Sequence, residues 1–227
     1  MKLLLNAFRL FLVGFVLLTF GVTTSQAANK VLKIGHIGVM SGPAASWGLI
    51  NKYAALAGAE IINEDGGFEI GGEKYDIEIV SLDTKQDPRV AIAGAERLVY
   101  QEGIKYIIGP NVDDTTRAVL PVLEKAGAFN ICYGWHRALF TPPSKNTALG
   151  MIAGYQSAPV IYKYLKEQRG VKSLACVPRN DASGLNSRDS CVAAADQLGI
   201  KITSSDSTYE PNTSDFFPIM GRIIGQN

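Results

Sequence analysis

The sequence predicts an α/β fold with a mainly parallel sheet, organised as two units. Three observations predict it. Short apolar runs alternate with longer helical patterns from residue 31 almost to the last residue. Glycines and an Asp-Pro pair stand where helices should start and stop. Removing an amino-terminal leader leaves residues 28–227, a length that suits one large or two small domains.

The elements follow in order. Residues 31–39 read as a first strand, and the Ala-rich residues 50–63 as a helix ending before Asp65-Gly66-Gly67. Residues 75–80 alternate with period two behind Gly71-Gly72, the turn signal of a small hairpin. Asp87-Pro88 opens the next helix, Asp as cap and Pro at the first helical position, and Gly103 follows its end. A strand at 104–108 precedes a helix from Asp114 towards Lys125, closed by Gly127. A strand at 128–133 leads into the irregular stretch 134–145, with Pro142-Pro143, the best boundary between two units. Beyond it come a helix near 157–168, a strand at 173–177, a helix near 185–198 capped by Gly199, and a strand at 200–204. Thr213 or Ser214 caps a last helix. The domain reading is therefore a leader (1–27), a first lobe (28–145) and the start of a second lobe (146–227). Two strands are too few to cover a sheet, so the chain reads as truncated within the second lobe.

The leader has a positive start (Lys2, Arg9), an apolar run over residues 10–20 and a polar end at Ser25-Gln26-Ala27. Small residues at those last positions suit a signal peptidase, which would cut after Ala27. Gly14 interrupts the run, which is shorter than the ~20 residues of a membrane span. The expectation is an exported chain with no membrane anchor after cleavage. With Lys2 and Arg9 gone, 20 basic side chains face 21 acidic ones, so no basic excess calls for nucleic acid or an anionic membrane.

The cysteines are Cys132, Cys176 and Cys191. An exported compartment permits a Cys176–Cys191 disulfide, and small buried apolar thiols are the alternative. Their spacing fits no zinc pattern, and His36 and His136 lie far apart, so neither metal nor cofactor is expected.

In open α/β sheets ligands bind beyond the carboxyl ends of the strands. The loops at those ends are 40–48, 109–116, Gly134-Trp135-His136-Arg137 and 178–184. Within this frame stand Ile34-Gly35-His36-Ile37-Gly38 running into Ser41-Gly42-Pro43, and Gly58-Ala59-Glu60-Ile61-Ile62-Asn63 with Gly66-Gly67. Asp83 precedes Asp87-Pro88, and Gly103-Ile104-Lys105-Tyr106-Ile107-Ile108-Gly109-Pro110 follows. In order and spacing this set resembles the type 1 periplasmic solute-binding proteins, in the branched-chain amino-acid (leucine/isoleucine/valine-binding) family of ABC importers. The resemblance covers nearly all of residues 31–227.

That resemblance implies a periplasmic, non-enzymatic protein whose two lobes close on a small solute and deliver it to an inner-membrane permease. The solute would be an amino acid or a related organic or aromatic compound. It implies segments that return to finish the first lobe, and these are missing here. Matched by position, the ligand contacts would be Ser41, Trp47, Asp113, Asp114, Thr115, Gly134, Trp135 and His136. In the second lobe Ser183, beside Gly184, stands where relatives carry tyrosine. Asp113-Asp114 departs from the small hydroxyl residues that relatives use for a ligand carboxylate. One Asp is expected to cap the helix and the other to face the cleft, where it would favour a cationic group. His136 either satisfies a local hydrogen bond or meets the solute.

Two other classes stay open. A ligand-sensing receptor domain would share the same cleft. An exported α/β hydrolase would need an activated nucleophile or paired acid and base, and the sequence has neither a Gly-x-Ser-x-Gly elbow nor a phosphate loop.

Overall fold

The computed structural model describes residues 28–225, so the expected leader and its cleavage site lie outside the described residues. A six-stranded sheet forms from β1 (Lys30–Gly38), β2 (Phe68–Ile70), β3 (Glu73–Asp83), β4 (Tyr106–Asn111), β5 (Phe129–Tyr133) and β6 (Thr147–Leu149). Their spatial order is β2-β3-β1-β4-β5-β6, and every pair is parallel except the β2–β3 hairpin. β6 was not foreseen. It lies beyond residue 145, the expected boundary, yet adds to the edge of the first sheet. A three-residue strand has too little periodicity to announce itself; here Asn130 recruits it, donating through Nδ2 to Asn146 O and Thr147 Oγ1.

Helices connect the strands: α1 (Ala45–Glu64), α2 (Pro88–Glu96, running into a π turn Arg97–Gln101) and α3 (Asp113–Ala126). Alternation along β3 divides the packing between the two faces of the sheet. Val80 and Leu82 join Ile37 and Ile107 beneath α2 and α3, a core completed by Ala91, Ala95, Leu98, Val119 and Leu123. Ile77 and Ile79 meet α1 on the opposite face. Gly94 makes close packing possible beneath α2: a Cβ would sit 2.0 Å from Leu82 Cδ2. Asp87 caps α2 as the sequence predicts, its carboxylate accepting from Arg89 N at 2.7 Å with Pro88 in the first turn. Gly127 ends α3 in the left-handed conformation, φ 63°. Helix α1 starts five residues earlier than expected, which puts Trp47 in its first turn.

After β6, α4 (Gly154–Arg169), β7 (Ser173–Ala175), α5 (Ala182–Gln197), β8 (Lys201–Ser204) and α6 (Phe217–Gly225) form a second, smaller α/β unit. β7 and β8 pair in parallel, and an isolated bridge continues them at Arg179 and Tyr209. Neither Thr213 nor Ser214 caps α6: Asp215 does, accepting from Phe217 N at 2.9 Å. Cys176 and Cys191 are joined in a disulfide, which decides between the two readings of these cysteines. Cys132 is the free, buried thiol.

Candidate functional site

The carboxyl ends of β1, β4 and β5 meet at one point, and β4 controls it. Asn111 closes β4 and is 2% exposed. Its Oδ1 accepts from Val39 N at 2.9 Å, tying the ends of β1 and β4 together and fixing the orientation of the amide. Its Nδ2 is buried with no hydrogen-bond partner among the described residues. An unmet buried donor costs about 1–3 kcal/mol, so this one stands ready for an acceptor.

Val112 follows with φ 57° and ψ 143°, a conformation that a β-branched residue rarely adopts. Such strain, on the order of 1–3 kcal/mol, clusters where a backbone must be aimed. Here Val112 is itself the residue before the first turn of α3, with no side-chain cap. Thr115 and Thr116 hold it, their hydroxyls donating to Asn111 O (2.8 Å) and Val112 O (2.6 Å).

Neither aspartate caps α3, which corrects the expectation from sequence. Asp113 is fully buried. Its Oδ1 accepts from Trp135 N (2.6 Å) and His136 N (3.3 Å), while Oδ2 accepts from Asn186 Nδ2 (2.7 Å) on α5. In return Asp113 N donates to Ser183 Oγ at 3.3 Å. This one residue fastens the β5 loop to α3 and both to the second unit. Gly134 leaves room for it, since a Cβ there would lie 3.2 Å from Asp113 Oδ1 and 2.5 Å from Leu139 Cδ1. Asp114 takes no part in this bridge and is exposed. Its pKa is raised, first by partial desolvation and then by Asp181 and Asp113, against the pull of Arg117 and Arg179.

A cavity of about 230 Å³ opens between the two units. It is smaller than the roughly 300–1,000 Å³ of drug-sized sites and suits a small solute. The first unit contributes Trp47, Asn111, Val112, Tyr133 and Trp135. Trp47 and Trp135 meet edge to face, with centroids 6.0 Å apart. The second unit contributes a short arc, Val177 to Ser187, and Tyr209. Asp181 organises this arc: it caps α5 by accepting from Gly184 N at 2.8 Å and pairs with the Arg179 guanidinium, close in distance but not aligned as a hydrogen bond. The helix start lies so near the loop that a Cβ on Gly184 would be 2.1 Å from Arg179 O.

Of the residues matched from sequence, Trp47, Trp135 and Ser183 line the cavity, and Gly134, Asp113 and Thr115 stand behind it as buried supports. Ser41, Asp114 and His136 do not line it. The Ser41 hydroxyl serves Asp83. Partial desolvation pushes that carboxyl up, but hydrogen bonds from Met40 N, Lys85 N and Ser41 outweigh it and hold the pKa below the usual range. His136 takes the local option, its Nδ1 accepting from Ala138 N at 2.9 Å. Sequence reasoning missed Asn111, Arg179 and Tyr209 as lining residues. Two of them, Asn111 and Arg179, lie within loops already singled out. Tyr209 had no such signal, because the bridge to Arg179 brings it in from beyond β8.

Known proteins place this geometry. A family model described as periplasmic binding protein matches residues 31–227. The Leu/Ile/Val-binding protein of Escherichia coli K12 is 32% identical over 232 aligned positions, covering 95% of this chain and 57% of its own length. The Leu/Ile/Val-binding protein homolog 6 of Brucella abortus is 27% identical over 208 positions, covering 91% and 51%. Among solved structures, an ABC-transporter solute-binding protein of R. palustris in complex with 4-hydroxybenzoate superposes with a TM-score of 0.71 at 26% identity, covering 87% of this chain and 52% of that one. A branched-chain amino-acid binding protein of Streptococcus pneumoniae in complex with isoleucine gives 0.73 at 22%, covering 87% and 55%, and speaks for the fold. The chain thus spans about half the length of the curated relatives it matches. With its parallel sheet, its cavity at the strand ends and its match from residue 31 onwards, this chain belongs to the type 1 periplasmic binding proteins of the leucine/isoleucine/valine-binding family.

Proposed function

We propose that the chain belongs to the substrate-binding component of an ABC importer, which holds a small solute between two lobes and passes it to an inner-membrane permease without chemical change. The observation that carries this reading is the cavity itself, lined from both α/β units by aromatic rings and hydrogen-bonding side chains. Trp47, Trp135 and Ser183 are its proposed ligand contacts, with residues 28–149 forming the first lobe and the rest beginning the second. A relative named a Leu/Ile/Val-binding protein and a solved structure in complex with 4-hydroxybenzoate support a ligand that is an amino acid or an aromatic acid. The leader supports a periplasmic location, with cleavage after Ala27. Aromatic walls also suit stacking or edge contact with a flat solute.

Isothermal titration of the purified chain against amino acids and small aromatic acids tests the reading. Saturable one-site binding that Trp135→Ala weakens is the expected result. A chain that binds no member of the panel, or that turns a ligand over, would refute it. Mass spectrometry of the exported product should find Ala28 as the first residue; an intact leader would contradict the proposed processing.

A further inference from the structure

We propose that this cleft selects a small carboxylic acid with a planar or aromatic body and no ammonium group, and that Asn111 and Arg179 read the oxygens of that acid. The inference rests on the solute-binding reading above and narrows it. It starts from the donors. Asn111 cannot rotate its amide, because Val39 N already occupies Oδ1, so what this cavity-lining residue has left to offer is N–H and not C=O. That Nδ2 has no acceptor among the described residues, and a ligand oxygen would supply one. Among the described residues Arg179 is the one charged residue in the lining. Asp181 engages its Nε edge, leaving the outer nitrogens of the guanidinium for an anion.

The acceptors point the same way. An α-amino acid brings an ammonium that wants a carboxylate, and among the described residues none lines the cavity. Three aspartates in or beside the loops that line it are placed otherwise. Asp113 has both oxygens filled by Trp135 N, His136 N and Asn186 Nδ2. Asp181 is held by Gly184 N and Arg179. Asp114 lies outside the lining, within the influence of Arg117 and Arg179. The walls left for the ligand body are the rings of Trp47, Tyr133, Trp135 and Tyr209, which favour a flat, apolar group.

The test compares compounds that differ only in the amine, by titration calorimetry on the purified chain: 3-phenylpropionate against phenylalanine, and 4-methylpentanoate against leucine. Each acid should bind at least about tenfold more tightly than its amino acid, and the phenyl acid more tightly than the aliphatic one. Arg179→Gln should lower acid affinity by about tenfold or more. Asn111→Asp keeps the acceptor for Val39 N, so folding can be checked by its melting temperature, while the donor is replaced by a negative oxygen. Acid binding should fall by about tenfold or more and the preference should turn towards the amine-bearing partner. Tighter binding of the amino acids by the parent chain would overturn the inference while leaving the solute-binding reading standing. So would an Asn111→Asp variant that folds and binds acids as before. Failure of all four compounds and of the other amino acids would overturn the solute-binding reading and this inference with it.

Discussion

Asp113 offers the sharpest test of how the site is held together. Replacing it with alanine removes the acceptor of two backbone N–H groups, Trp135 and His136, and of the Asn186 amide. Each partly buried donor left without a partner costs about 1–3 kcal/mol, less where water can reach it, so Asp113→Ala should destabilise by about 3–5 kcal/mol. For a domain of this size that lowers the melting temperature by roughly 10 °C. Asp113→Asn should be much milder, about 1 kcal/mol, because Asn186 can turn its amide and present oxygen to the new NH₂ group. Thermal and urea denaturation followed by circular dichroism provide the measurement. A double-mutant cycle of Asp113→Ala with Asn186→Ala should then give a coupling of about 1–2 kcal/mol across the two units. An Asp113→Ala chain within about 0.5 kcal/mol of the parent, or a coupling near zero, would refute the buried-bridge assignment.

Three further outcomes follow. His36 is fully buried with neither ring nitrogen paired among the described residues, and burial, aided by Lys52, lowers its pKa from 6.5 to about 4. The unfolded chain therefore binds the extra proton first, and stability present above pH 6.5 should be lost as pH falls towards 4, by about 3 kcal/mol in all; a His36→Leu chain should lack this part of the pH profile, and an unchanged profile would count against it. The disulfide closes the 15-residue separation between Cys176 and Cys191, an arc that carries Arg179, Ser183 and Ser187. Cys176→Ser with Cys191→Ser should cost about 3 kcal/mol in denaturation and weaken ligand binding more than the stability loss alone explains, whereas full affinity would mean that the arc needs no clasp. For the tryptophan pair, Trp47→Ala and Trp135→Ala should each weaken binding, with a coupling of about 0.5–1.5 kcal/mol from their edge-to-face contact; strictly additive losses would show that the rings act separately.

The sequence by itself determined the alternation of strands and helices and the ends of several elements. Asp87-Pro88 and Gly127 act within a few residues of themselves, so their capping roles are readable without a fold. The gathering of Trp47 and Trp135 at one rim was legible too, because loops after parallel strands must converge. Tertiary structure decided everything that depends on a distant partner. Asp113 looked like a helix cap because the local pattern is that of a cap; its partners, 22, 23 and 73 residues away, make it a buried bridge. Asn111 became an open donor only because Val39, 72 residues before it, claims its oxygen. The joining of Cys176 to Cys191, one of two readings the sequence left open, was decided there too, and the recruitment of β6 and the arrival of Tyr209 beside Arg179 are contacts between segments whose own sequences carry no trace of one another. Local hydrogen bonding and periodicity are written into neighbouring residues, while the chemistry of a cleft is set by which strand ends the sheet brings together.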